Sequence, residues 1–305
     1  EARGSGVKPF RRSEWFLGPR LLPDGSYPTG ARWNAYVDVS TTLTNSSSSV
    51  QSAAWTSIGP TNMAGRMLDF AFDPNNSSVI WTGSAAGGIW RSADGGGTWS
   101  PKDGQLPVLA IGCVVTHPTN SNVIYIGTGE GGWNIDAVDG VGVMKSSDGG
   151  SSWFQTGLSW QLSQGRAVNR MVIDPVNPNV LVAATGDGVY RTSDGGSTWA
   201  RTLAPGSGWM DAKDVVIDPS NPNNLYVAIG FPWGDNNNGI YKSSNNGVNW
   251  SKLGAGLPLT ATVVGRISLA ISASSPNTVY AGYSNSLGGG SGLLGIYKTT
   301  DGGNT

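Results

Sequence analysis

The chain has 305 residues, with 19 Lys and Arg against 20 Asp and Glu, so charge selects neither nucleic acid nor an anionic membrane surface. Forty-six glycines and 13 tryptophans beside only 13% charged residues point to many tight turns joining packed strands. No apolar run approaches the roughly 18 residues of a membrane helix; the single Cys113 excludes an internal disulfide, metal-ligand spacing of Cys and His is absent, and the lone His117 gives a Ser/His/Asp triad no credible base.

In chain order, residues 1–39 form a leader without repeats, rich in basic and aromatic side chains such as Arg11, Arg12, Trp15 and Trp33, and read as an arm. Residues 40–53 are Ser/Thr-rich and of low complexity, which suits a flexible linker. From 54 to 305 one unit recurs. An alternating apolar strand such as Met67 to Phe72 leads to a turn at Asp73-Pro74-Asn75-Asn76, and a second strand follows at Val79 to Gly83. A third strand, Gly88 to Arg91, is followed by an Asp-Gly-Gly corner, and a fourth leaves from a tryptophan. His117 stands at the turn position of Asp73, Asp174 and Asp218, so it reads as a turn residue; Cys113 falls in a first strand and reads as core.

The corner is SADGGGTW at Ser92–Trp99, and it returns as SSDGGSSW at Ser146–Trp153, TSDGGSTW at Thr192–Trp199, SSNNGVNW at Ser243–Trp250 and TTDGGNT at Thr299–Thr305. Its Asp accepts backbone amides, its glycines take positive φ, the flanking Ser and Thr add local hydrogen bonds, and the Trp supplies an apolar face. Asp94, Asp148, Asp194, Asn245 and Asp301 therefore mark structural corners, with Trp99, Trp153, Trp199 and Trp250 beside them. Successive corner positions, 94, 148, 194, 245 and 301, are 54, 46, 51 and 56 residues apart, the period of a propeller blade rather than a helical solenoid.

These corners resemble the Asp-box, or bacterial neuraminidase repeat, and the chain from about Trp55 to Thr305 is similar to Asp-box β-propellers such as sialidases, xyloglucan-type endoglucanases and sortilin-like receptors. The resemblance implies an all-β propeller of four-stranded blades, about five of them covered here and seven or more in the whole protein. Ala54 to Pro60 looks like a fourth strand without a corner, of the sort that closes the last blade. The expectation is thus a chain taken from a longer protein.

Candidate chemistry is sparse. Glu130 and Asp187 fall at matching places after second strands and are the fallback acid and base of a hydrolase. The xyloglucan-type motif Thr-Asp-Ile-Gly-Gly matches Ser84-Ala85-Ala86-Gly87-Gly88, with Ala85 at the catalytic Asp, which counts against that activity. Arg66, Arg166 and Arg266 each follow a glycine just before a first strand. They are read either as carboxylate binders, as in a sialidase triad, or as partners of neighbouring carboxylates that hold the hub. Two insertions, carrying Trp133 with Asp136 and Trp233 with Asp235, set an indole beside polar groups, a combination suited to a sugar or to packing of the loop itself.

The resulting expectation is a secreted or cell-surface bacterial propeller that binds a glycan or protein without catalysis. Its alternatives are a glycoside hydrolase and a structural subunit of a surface layer or appendage. Neither cofactor nor metal is expected, nucleic acid and membrane insertion are not, and assembly partners or export machinery remain open as partners.

Overall fold

The computed structural model describes residues 65–104, 106–131, 137–204, 210–258, 263–287 and 292–304, together with Leu21, Pro23, Asp24 and Asp38. Two compact units divide at Trp55/Thr56. The leader, the linker and the orphan strand Ala54 to Pro60 lie outside the described residues, apart from those four positions.

The second unit is a row of antiparallel meanders. Blade 1 comprises β1 (Met67–Asp73), β2 (Asn76–Ser84), β3 (Ile89–Ser92) and β4 (Ser100–Pro101). Blade 2 comprises β5 (Ile111–Thr116), β6 (Ile124–Thr128), β7 (Gly142–Ser146) and β8 (Phe154–Ser159). Blade 3 runs through β9 (Val168–Ile173), β10 (Leu181–Thr185), β11 (Gly188–Thr192) and β12 (Ala200–Leu203). Blade 4 follows as β13 (Ala212–Ile217), β14 (Leu225–Ile229), β15 (Gly239–Ser243) and β16 (Ser251–Lys252). Blade 5 has three strands among the described residues, β17 (Val264–Ile271), β18 (Val279–Asn285) and β19 (Leu293–Thr299). Each blade's first strand touches the first strand of the next, so these five strands form the hub of a β-propeller.

The corners explain the punctuation. In every copy the Ser or Thr hydroxyl donates to the Asp or Asn two residues on, at 2.6–3.0 Å. The same hydroxyl oxygen accepts the amide four residues ahead, at 2.8–3.1 Å. The residue after the Asp or Asn has φ between 58° and 71°, which is why it is glycine four times and Asn246 once. Its amide reaches back to the start of the second strand or the turn before it, as in Gly95 N to Ser78 O at 2.8 Å and Gly302 N to Asn277 O at 2.9 Å. Thr98, Ser152 and Thr198 donate both backbone amide and hydroxyl to the Asp, and these bonds hold Asp94, Asp148 and Asp194 down at a pKa of about 2.

The tryptophans do more than face a strand: they wedge against the preceding blade. Trp153 donates to the Lys102 carbonyl of blade 1 at 2.7 Å and is only 7% exposed. Trp199 packs on the blade 2 core around Cys113, Tyr125 and Val143, and Trp250 reaches Thr202 of blade 3 at 3.1 Å. Trp99, in the first blade, is 41% exposed. The buried core is therefore a series of sheet-on-sheet layers between neighbouring blades. His117 sits in its turn, where its Nδ1 accepts the Thr119 amide at 3.2 Å as the Asp73 carboxylate accepts that of Asn75 at 2.8 Å. Cys113 is fully buried in the core, and burial pushes its thiol pKa up.

Candidate functional site

Strands alternate in direction along a meander, so the entries to first strands and the links between second and third strands share one end of the blades. The corners share the other. Arg66, Arg166, Arg266, Glu130, Asp187 and the Trp233 loop all belong to the first end.

At the hub on that end lies a cavity of about 340 Å³, to which all five blades contribute. Its lining comes largely from one repeated irregularity. In blade 1 Met67 faces Ser84 and Asp69 faces Gly83, so Leu68 is an extra residue, a β-bulge. The same step makes bulges of Gly112 in blade 2, Asn169 in blade 3 and Lys213 in blade 4. In blade 5 the irregularity falls between Val264 and Ile267, where Arg266 sits. All five line the cavity, with Arg66, Glu130 and Gly131 beside them. A bulge releases a side chain from strict alternation and turns it toward the axis.

Glu130 is the one carboxylate lining this cavity among the described residues, and Arg66 grips it with both terminal nitrogens, Nη1 to Oε1 at 2.5 Å and Nη2 to Oε2 at 2.8 Å. The Glu130 side chain is 5% exposed and the Arg66 side chain 46%, so the acid is closed in while the guanidinium meets solvent. Lys213 is buried, and Asp211 pairs with it at 2.5 Å. Burial pulls the Lys213 ammonium below its ordinary pKa, while the Asp211 charge opposes that. Lys213 also donates to the Gly131 carbonyl, and Asn169 donates to the Ala212 carbonyl at 2.6 Å and to Asp211 at 3.2 Å. A Cβ on Gly131 would run into the Asn169 amide, so this wall is built with no room to spare.

The residues following the bulges form a second polar layer. Arg170 donates to Asp69 at 2.7 Å and its Nε lies 3.9 Å from Asp214. Asp69 also accepts the Val114 amide of blade 2 at 3.0 Å, and Asp214 accepts the Leu269 amide of blade 5 at 2.8 Å. Burial raises both carboxyl pKa values, and Arg170 acts against that rise.

The remaining candidates separate from this cluster. Arg166 pairs with Asp187 at 3.2 Å, and Asp187 also accepts Thr185 at 2.9 Å and Tyr190 at 3.2 Å. Neither Arg166 nor Asp187 lines the hub cavity, so the three arginines do not converge and Glu130 and Asp187 sit in different ion-pair clusters. Trp233 is half exposed on the loop between β14 and β15, 5.4 Å from Phe231. Its loop is pinned by Asn238, which exchanges hydrogen bonds with Phe231 and donates to the Val264 carbonyl at 2.7 Å. Asp235 accepts the Asn237 amide within the same loop at 2.8 Å. Trp133 and Asp136 lie outside the described residues. Ala85, at the place of the xyloglucan-type acid, is buried with its amide on the Arg66 carbonyl.

Solved structures share this architecture. An ancestral GH74 enzyme superimposes with a TM-score of 0.59 at 21% identity, over 81% of this chain and 32% of its own. The GH74 xyloglucanase from Xanthomonas campestris gives 0.57 at 19% identity, over 78% of this chain and 36% of its own. The extracellular domain of a putative one component system from B. thetaiotaomicron gives 0.52 at 14% identity, over 77% and 28%. The likeness is one of fold. This chain spans about a third of the length of the two GH74 enzymes. No protein-family model and no curated protein matches it. No helix among the described residues is long and apolar enough to cross a membrane.

Proposed function

We propose that this chain is a carbohydrate-binding propeller module that holds its ligand at the bulge-lined hub cavity and does not hydrolyse it. The observation that carries the reading is the state of the cavity's carboxylate: Glu130 is locked in a two-point ion pair with Arg66. Glycoside hydrolysis by the usual routes needs two carboxyl groups facing each other across roughly 5–9.5 Å, one of them protonated. Glu130 is the one carboxylate lining the cavity among the described residues, Asp187 belongs to another cluster, and Ala85 has a methyl group where an acid would stand. Polar side chains fixed on rigid strands, with the half-exposed Trp233 on a loop at the same end of the blades, suit a sugar's hydroxyls and its apolar face. Similarity in fold to xyloglucan-degrading propellers and to an extracellular domain supports a carbohydrate ligand and a place outside the cell. The corners support the finer reading of an exported, Asp-box surface propeller.

The test is binding and hydrolysis measured side by side on β-glucans, xyloglucan and sialosides. Binding without turnover, weakened about tenfold or more by Asn169→Ala or Trp233→Ala, is the expected result. Turnover that disappears in Glu130→Gln would replace this reading with the hydrolase.

A further inference from the structure

The wall of the hub cavity is rich in hydrogen-bond donors and poor in acceptors. Arg66, Lys213 and Arg266 line it, and the charged heads of all three donate and cannot accept. The acceptors beside them are already engaged. Glu130 is enclosed, with one oxygen on each terminal nitrogen of Arg66, and the Gly131 carbonyl takes Lys213. The Asn169 side-chain oxygen presses so closely on Gly131 that a Cβ there would strike it. Ser268 supplies the one hydroxyl that lines the cavity among the described residues.

The other acids of the hub stand away from this wall. Asp211 closes behind Lys213, and Asp69 and Asp214 turn to Arg170 and to the amides of Val114 and Leu269. None of the three lines the cavity. Lys213 and Arg266 occupy the bulges of neighbouring first strands, in blades 4 and 5. Burial draws the Lys213 ammonium below its ordinary pKa, the Asp211 charge opposes this, and the Arg266 charge adds to it. The two cations thus act on one another, and an anion between them would be attracted to both.

These features sort one class of sugar from another. A neutral hydroxyl donates as well as accepts, and against this wall its proton meets few oxygens. A carboxylate only accepts, and the planar fork of a guanidinium fits it at two points. We propose that the hub cavity is a site for a carboxylated sugar, a uronate or a sialate residue, whose carboxylate lies against Lys213 and Arg266 while Arg66 stays on Glu130. Leu68 and Ile267, in the same lining, give the ring an apolar neighbour. The proposal rests on the carbohydrate-binding reading above and assigns the ligand's charge within it.

Titration calorimetry on the 305-residue chain tests it with two matched pairs: a galacturonate trimer against the neutral galactose trimer of the same linkage, and sialyllactose against lactose. In about 20 mM salt the carboxylated member of at least one pair is expected to bind about tenfold tighter than its neutral partner, and the pair that shows this identifies the source of the carboxylate. The preference shrinks in about 500 mM salt. Arg266→Gln, at an exposed position, lowers the ratio of the two affinities about tenfold, and Arg266→Lys keeps most of it. Arg166→Gln, on the arginine that pairs with Asp187 away from the cavity, leaves the ratio as it is. A loss of fold would weaken both members of a pair alike, so the ratio reports the site itself. Neutral sugars binding as tightly as carboxylated ones, or a preference that Arg266→Gln leaves intact or that Arg166→Gln removes equally, would overturn this proposal and leave the carbohydrate reading standing. Failure of all four sugars to bind would overturn both.

Discussion

Replacing Trp153 by Ala removes an indole wedged between blades 1 and 2, and the same change at Trp99 removes one that no other blade covers among the described residues. Trp153 is 7% exposed and Trp99 41%, so about a third more of the side chain is buried at 153. On roughly 250 Å² of indole surface at about 25 cal/mol per Å², that third amounts to roughly 2 kcal/mol. The hydrogen bond from Trp153 to the Lys102 carbonyl adds about 1 kcal/mol, whereas the Trp99 indole bonds only within its own corner, to Gly96. Trp153→Ala is therefore expected to cost about 3–5 kcal/mol, as large-to-small core changes do, and Trp99→Ala about 1–2. Urea unfolding followed by fluorescence and by circular dichroism, at low protein concentration so that copies stay apart, measures both. Coincident midpoints for the two variants would refute the idea that the corner tryptophans are wedges between blades, and would return them to a purely local role.

Two predictions concern acid. Asp69 and Asp214 hold their protons more tightly folded than unfolded, so their contribution to stability is lost as pH rises through the raised folded values and returns as pH falls. Arg170→Met takes away the guanidinium that opposes this; its cost, about 1–3 kcal/mol at pH 7 because Arg170 is 45% exposed, should shrink toward pH 4 in denaturant titrations, and a pH-independent cost would contradict the hub pairing. The corners run the other way. Asp94, Asp148 and Asp194 are held at about 2, so the stability they supply is present above the ordinary carboxylate range and vanishes as pH falls toward 2. In Thr198→Val the Asp194 carboxyl should titrate closer to its ordinary value, read by carbon NMR, with acid unfolding beginning at a higher pH; an unmoved titration would show that the Thr198 hydroxyl is not the cause.

Much of this molecule could be read in its sequence because it repeats. The corner announces itself in a single stretch, since its Ser or Thr, Asp and glycines bond to one another within four residues, and the regular spacing then implies the blade. The contacts that tie one blade to the next corner were hidden for the opposite reason. Tyr226 and Lys242 meet a carbonyl some sixty or more residues away, at Gly302, and nothing local marks either as a partner. The bulges were hidden too, because one extra residue in a six-residue strand leaves its apolar pattern almost intact. Asn169 and Lys213 therefore carry no local mark of the hub, while of the three arginines in the shared Gly-Arg context Arg66 and Arg266 line the hub cavity and Arg166 pairs with Asp187 away from it.

The ring of bulges has an implication for change over time. Leu68, Gly112, Asn169, Lys213 and Arg266 occupy one kind of irregularity in five strands and share almost no chemistry. The apolar strand residues beyond them, such as Val115, Met171 and Val215, pack blade on blade. The positions differ in what they tolerate: Leu68 and Arg266 leave room for a new side chain, whereas a Cβ on Gly112 would meet the Val168 and Gly129 carbonyls, and Asn169 and Lys213 are tied to their neighbours. On the carbohydrate-binding reading proposed above, Leu68 and Arg266 are then the positions through which the hub could take a different ligand on the same frame, one substitution at a time.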